Sequence, residues 1–523
     1  MPDSPDVLIA RAGAHVRAGE SDAAAACGLE ILRQAPEHFD ALHLIGWLCQ
    51  NRGQLADAYC YLSRAMRLRP ADAAVALKLG NVLVALKRFS DAEHVARNIL
   101  ALYPQHIDAA NNLGIAQGEQ KRDSDAIEAY RMALAWKPDY APAHFNLGRV
   151  LARSGRLTEA EAAFRSALAC APTDTPSERI DDVYAHLLPS LVELDRPEEA
   201  LTLARPIVSS RQDLPKLAWA YALLLLHVGD YAAGWEAYES RWGVEYQSPS
   251  RPNPLVLNLD AIAGKRILVD AEQGHGDIIQ FARYAPLLAD RGAIVTLSAY
   301  DGLKPLLSGL RGIKRVVGED ENEPAHDIAT PIGSLPLAFR TTIETVPAEV
   351  PYLHAEPHRV AQWREKLGDK TAPRVGLTWH TTTVAPKRTR LNDLRAILAC
   401  PNISFHALQK VIPSEELGIL PALGLRDHRA DLTDFAETAA LIDNLDLVIT
   451  IDTAVAHLAG AMGKPVWLML QHVADWRWLR YRADSPWYPT ARLFRQAAPG
   501  DWHGLSVEVA TALMRLFPSS VSC

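Results

Sequence analysis

The apolar positions fall into two regimes along the chain. From about residue 7 to 174 they recur at i, i+3 and i+4, the stripe that a helix buries on one face. These stretches come in pairs: ALKLGNVL, ANNLGIAQ and HFNLGRVL each precede a second amphipathic run such as SDAIEAYRMALAWKP. After residue 264 the apolar runs shorten. KRILVD (265–270), AIVTLSA (293–299), the short RVV (315–317) and HDIAT (326–330), RVGLTW (374–379), ISFHALQ (403–409), LDLVITID (445–452) and KPVWLML (464–470) alternate with helical stretches such as IIQFARYAPLLADRG and TAVAHLAGAMG. Strand, turn and helix in alternation predict a parallel sheet with helices on its faces. The first regime therefore predicts helix hairpins, and the second two adjacent parallel-sheet units.

The hairpins keep a strict period. Pro36, Pro70, Pro104, Pro138 and Pro172 stand 34 residues apart, as do Gly46, Gly80, Gly114 and Gly148, and Ala24, Ala58, Ala92, Ala126 and Ala160. Small residues belong where two helices approach closely, and proline ends one unit because it cannot continue a helix interior. The period and the L-G…A…P pattern resemble the tetratricopeptide repeat (TPR). About five regular repeats are expected, then two degenerate ones, SERIDDVYAHLLPSLVELDRPEEALTLA and LAWAYALLLLHVGDYAAGWEAYESRW. One hairpin cannot bury its apolar face alone, so neighbours stack into a solenoid with a concave groove. The predicted organisation is a TPR array over 1–247, a proline-rich linker over 248–260, an N-terminal lobe over 261–365, and a C-terminal lobe with a final helix over 366–523.

Composition changes this picture little. The chain has 523 residues, 49% hydrophobic and 22% charged, so it has ample apolar area to fold. A net charge of -8 argues against a nucleic-acid partner. The six cysteines form no C-x-x-C pair, so neither a zinc site nor a disulfide scaffold is expected. The longest apolar run, Leu217 to Leu226, is about half of the roughly 20 residues of a membrane span. It reads as a buried helix where the array meets the next domain. The start, MPDSPDVLIARAG, lacks the charged and apolar regions of a secretory peptide. A cytoplasmic location is expected, with no transmembrane segment and peripheral membrane contact left open.

Candidate chemistry sits on three loops, because ligands of such sheets bind outside the carboxyl ends of the strands. The first is Glu272-Gln273-Gly274-His275-Gly276-Asp277. Its glycines let the backbone approach a ligand. Ile279 stands where a dinucleotide fingerprint needs its third glycine, which excludes that cofactor. Asp277 reads either as a helix cap or as a general base for an acceptor hydroxyl. The second loop, His380 to Arg390, carries hydroxyls and then Lys387, Arg388 and Arg390, which suit a diphosphate or equally a solvated basic loop. The third is Asp452-Thr453-Ala454 with His457 one turn into the helix. The helix start is an anion site, and Asp452 is either a sugar ligand or a cap.

AEQGHGDIIQFARYAPLL together with LDLVITIDTAVAHLAGAMGKPVW resembles the ADP-heptose:lipopolysaccharide heptosyltransferase family. GDYAAGWEAYESRW and DWRWLRYRADSPWYPTARLFRQ resemble bacterial proteins that fuse TPR repeats to such a domain. The resemblance implies a GT-B fold of two Rossmann-like lobes and an inverting, metal-independent glycosyltransferase. Its donor would be a nucleotide-sugar, ADP- or UDP-linked, with no other cofactor. It matches Asp277 to the general base, and Asp452, Thr453 and His457 to a donor-binding D-T-G-x-x-H motif in which Ala454 replaces glycine. Lys387, Arg388 and Arg390 fall where diphosphate contacts lie, and Gln409 and Lys410 where the nucleoside lies. The implied acceptor is a protein or peptide in the TPR groove. The alternatives are a lipopolysaccharide or surface-glycan transferase, and a TPR scaffold with an inactive transferase domain.

Overall fold

The computed structural model describes residues 3–211, 213–244, 257–322, 324–381, 387 and 389–518. The chain divides into two compact units, Met1–Arg196 and Pro197–Cys523.

The first unit is the helical array. The first helices of its hairpins begin at Pro5, Phe39, Ala73, Ile107 and Ala141, and their partners at Ser21, Leu55, Phe89, Asp123 and Leu157. Every step in both series is 34 residues. The periodic alanines are buried, each at most 2% exposed, because the paired helix lies against them. Three of the periodic glycines are set by the same contact. A Cβ on Gly46 would lie 2.6 Å from Leu62, one on Gly114 2.5 Å from the Tyr130 ring, and one on Gly148 2.6 Å from the Phe164 ring. Gly80 has no such neighbour, its nearest being Asn112 Nδ2 at 3.7 Å, so its place in the period is not a packing requirement. The acidic DSD tripeptide opens the helix Asp123–Trp136. Asp123 pairs with Arg153 and accepts from Ser154 Oγ at 3.1 Å, which ties one repeat to the next.

The second unit begins within the sixth hairpin. The expected array boundary at residue 247 therefore differs from the boundary in packing, which falls at Arg196/Pro197. The helices Pro197–Ser210, Pro215–Val228 and Tyr231–Tyr238 keep the hairpin form. They pack with the α/β region because Tyr231, Trp235 and Tyr238, each 1% exposed, bury their rings there. Trp235 meets Phe281, Trp476 and Trp487 at centroid distances of 6.1, 5.3 and 6.4 Å, mostly edge to face. Trp487 Nε1 donates to Tyr231 Oη at 3.1 Å, and Arg480 pairs with Glu198 at 2.6 Å. The Leu217–Leu226 run lies in the fourteen-residue helix Pro215–Val228. Among the described residues no helix is long and apolar enough to cross a membrane. Most of the linker predicted for 248–260 lies outside the described residues.

Two parallel sheets follow. The first holds β1 (Arg266–Asp270), β2 (Ile294–Ser298), β3 (Ile313–Val317) and β4 (Ile328–Pro331) in the order β3-β2-β1-β4. The second holds β5 (Arg374–Thr378), β6 (Ser404–Ala407), β7 (Leu425–Asp427), β8 (Leu447–Ile451), β9 (Val466–Leu470) and β10 (Ala491–Arg495) in the order β10-β9-β8-β5-β6-β7. Counted from β5, this is the doubly wound order, with its switch point between β5 and β8. One apolar core runs from Leu226 and Tyr231 through the first sheet to one side of the second. The other side of the second sheet is closed by the C-terminal helix Trp502–Leu516 through Leu505, Val509 and Leu513. Two strands have no counterpart among the expected runs: β7 is three residues long, and β10 lies in ARLFR, where arginines interrupt the apolar run.

Candidate functional site

The first loop leaves β1 and turns into the short helix His275–Phe281. Gln273 takes the left-handed conformation, φ 63°, and Gly274 is the N-cap. Asp277 is therefore at N3 of the helix rather than at its cap position. Its Oδ2 accepts from the Gly274 N–H at 3.0 Å, the return half of a capping box. Its Oδ1 is held by Arg477, which follows β9 in the other lobe. Gly276 is a packing requirement: a Cβ there would lie 2.9 Å from His457 Cδ2 and 3.6 Å from Ala454 Cα. The loop thus presses directly on the third-loop helix. His275 stacks on Phe435 at 5.2 Å, a second contact across the lobes.

What holds this loop comes from the last helical hairpin. Arg241 is fully buried and grips Glu272 with two bonds, Nε to Oε2 at 3.0 Å and a terminal nitrogen to Oε1 at 2.9 Å. The same guanidinium reaches Ser334 Oγ at 2.7 Å and Glu239 Oε1 at 2.7 Å. Glu272 also accepts from the Gly333 N–H at 2.7 Å, next to the end of β4. Tyr238 Oη donates to Gln273 Oε1 at 2.9 Å. Burial disfavours the Arg241 charge, yet Glu272 and Glu239 raise its pKa well above the usual guanidinium range.

At the switch point of the second sheet, Lys387 and Asp452 meet as an ion pair. Burial works against the Lys387 charge, but Asp452 and Asp475 outweigh it and raise its pKa. Asp475 lies 3.9 Å from Lys387 and 2.8 Å from Arg477. Burial would raise the Asp475 pKa, while Arg477 and Lys387 hold it well below the carboxylate range. The side chains form one chain of alternating charge, Asp452–Lys387–Asp475–Arg477–Asp277, running from the third loop to the first. Beside it, Lys387, Asp452, Gln471, Asp475 and Trp502 enclose a cavity of about 10 Å³, room for one water.

The remaining candidates divide. Thr453 is the N-cap of the helix Ala454–Ala461, but its hydroxyl meets Thr450 Oγ1 at 3.2 Å, so no side chain caps the first turn. Asp452 is likewise no cap. His457 is 4% exposed; its Nδ1 shares a hydrogen bond with Tyr488 Oη at 2.9 Å, and its ring stacks on Trp478 at 5.3 Å. It packs between the lobes with no open face toward a ligand. Gln409 is also occupied: its Oε1 accepts from the N–H groups of Trp379 at 3.2 Å and His380 at 3.0 Å, and its Nε2 donates to His380 O at 2.9 Å. It fixes the start of the second loop, so the geometry does not offer it to a nucleoside. Lys410 reaches Arg429 O at 3.2 Å and Arg390 is exposed. Arg388 lies outside the described residues. Sequence reasoning misses Asp475 and Arg477, although only four residues separate DWR from the end of β9, at a carboxyl end of the sheet.

Burial pushes His457 down to about 3. It pushes His406 to the same range, helped by its stack on His428, whose pKa is lowered too. These folded values lie below the unfolded imidazole value of about 6.5. The unfolded chain therefore binds more protons at pH below about 6.5. The stability from these groups is complete above that value and is lost as the pH falls toward 3. Urea unfolding is expected to show a flat midpoint between about pH 7 and 8. Between about pH 6.5 and 5 stability should fall by about 1.4 kcal/mol per pH unit for each proton taken up. A midpoint unchanged down to pH 5 would contradict this.

Comparison with known proteins agrees with both regimes. Residues 77–141 and 119–177 match tetratricopeptide-repeat families, and residues 430–467, which carry Asp452 and His457, match glycosyltransferase family 9 (heptosyltransferase). The chain is thus similar to tetratricopeptide-repeat proteins over residues 77–177 and to the heptosyltransferase family over residues 430–467. It is similar to protein FlbA of Caulobacter vibrioides, with 32% identity over 341 residues that cover 58% of this chain and 56% of the relative. It thus spans about half the length of that curated relative. Among solved structures, it is similar to a tetratricopeptide-repeat protein of Parabacteroides merdae (14% identity, 47% of this chain and 94% of that one, TM-score 0.40). It is also similar to the pilus biogenesis factor PilW (20%, 40% and 96%, TM-score 0.36) and to MamA of Desulfovibrio magneticus RS-1 (22%, 34% and 99%, TM-score 0.31).

Proposed function

We propose that the chain is a GT-B glycosyltransferase that moves a sugar from an ADP- or UDP-linked donor to an acceptor hydroxyl, with a protein acceptor presented by the TPR array. The observation that carries this is the charge chain joining Asp277, at the carboxyl end of the first sheet, to Lys387 and Asp452 at the switch point of the second. Asp277 takes the proton of the acceptor hydroxyl. The freed oxygen attacks the anomeric carbon, and the bond from that carbon to the phosphate oxygen breaks. The nucleoside diphosphate leaves with the electron pair, opposite the attacking oxygen, so configuration inverts. The transition state is oxocarbenium-like, and no metal is assigned a part. Lys387 and the start of the helix Ala454–Ala461 balance the developing charge on the diphosphate. In this reading Lys387 exchanges Asp452 for phosphate when the donor binds, which opens the small cavity and frees Asp452 for a sugar or ribose hydroxyl.

The rival reading is a TPR scaffold whose lobes no longer bind a donor. The self-paired Lys387 and Asp452, and Ala454 in place of glycine, favour it. A thermal-shift screen with ADP, UDP and their sugars, followed by mass spectrometry of turnover, separates the two. Ligand present at about 100 times its Kd stabilises a fold by about 2.7 kcal/mol. A clear upward shift with one nucleotide, weakened at least tenfold in affinity by Lys387→Ala, is expected. No shift with any nucleotide would favour the scaffold.

A further inference from the structure

DWRWLRYRADSPWYPT has no part in the transfer chemistry above, yet its first arginine touches the base. We propose that Arg477 is the positioning residue of the Asp277 carboxylate, a fork across the two lobes that aims the base; this rests on the transferase reading.

Three guanidinium nitrogens are used. One terminal nitrogen holds Asp277 Oδ1, and Nε donates to Gln280 Oε1 at 3.0 Å. Asp277 and Gln280 stand three residues apart on one helix, so one planar group spans both. The other terminal nitrogen and the Arg477 backbone N–H both donate to Asp475 Oδ1, at 2.8 and 3.1 Å. The guanidinium lies over the Trp476 ring at 4.2 Å, and the side chain is 13% exposed. Trp476 is itself clamped by Tyr231, Trp235 and Trp487, so the fork has a rigid backing. With the Gly274 N–H on Oδ2, both oxygens of Asp277 are fixed and the carboxylate plane is set.

The test follows turnover of UDP- and ADP-sugars by the full chain. Arg477→Gln is expected to lower kcat at least tenfold with KM for the donor within threefold, because the base is no longer aimed. Arg477→Lys should recover only part of that rate, because one point charge replaces the fork. A residue that merely holds the fold would not lower kcat while leaving KM in place. A kcat of Arg477→Gln within twofold of wild type, or a parallel rise in KM, overturns the proposal. Wild-type turnover in Asp277→Asn would instead overturn the base assignment on which it rests. If no probe is turned over at all, stability decides: Arg477→Gln and Asp277→Asn together should cost less than the two singly, and plain additivity overturns the pairing.

Discussion

Asp277→Asn is expected to lower transfer by about 10³-fold while leaving nucleotide affinity within about twofold of wild type. A positioned general base supplies roughly 10²–10⁴ in rate, and an amide cannot take the proton. Asn keeps the size of Asp and an oxygen for the Gly274 N–H, so the loop should hold its shape. In the proposed reading, nucleotide contacts fall to Lys387 and the helix start beyond β8, on the other lobe. Turnover measured with the donor found by the screen, beside calorimetric binding of the matching nucleotide, checks both halves. Retention of more than a tenth of the wild-type rate would remove Asp277 from the base role. A parallel loss of nucleotide binding would mean that its pair with Arg477 holds the lobes in place for the donor.

The second large effect concerns a residue far from the reacting atoms. Arg241→Ala is expected to destabilise the second unit by about 3–5 kcal/mol, because it leaves Glu272 buried without its cation. Pairing it with Glu272→Ala should recover part of that loss, since no uncompensated charge then remains. Urea unfolding of the three variants measures this, and a single variant within about 0.5 kcal/mol of wild type would contradict it. Truncation should remove the same support. A chain cut at 248 loses Arg241 together with Tyr231, Trp235 and Tyr238, whose rings complete the core against Phe281, Trp476 and Trp487. It should give no cooperative unfolding transition, whereas a chain beginning at Pro197 should fold.

Much of the architecture was legible in the residues. The 34-residue steps of proline, glycine and alanine located the regular hairpins, because repeating contacts need repeating residues. Short branched-apolar runs located most strands for an equally local reason: both faces of a parallel strand are buried. The short β7 and the arginine-bearing β10 carry too little of that signal. The site was legible where its residues sit at strand ends. Asp277, Lys387 and Asp452 were reached that way, and the structure joins them. Gln409 and His457 lie beside the candidate loops, but their partners, the His380 backbone and Tyr488, stand 29 and 31 positions away with no repeating spacing to mark them. Nothing local marks a polar group as already satisfied.

The sequence by itself determined the repeat, the change to alternating strands and helices, and the three candidate loops at the strand ends. Each is written in spacing within a few tens of residues. Only the tertiary structure decided that the last hairpin packs with the sheets, that Arg241 holds Glu272, and that Arg477 reaches Asp277 from 200 positions along the chain. The physical reason is range. A helix or strand is set by its neighbours in sequence, while an ion pair or aromatic contact is set by neighbours in space, which only the fold supplies.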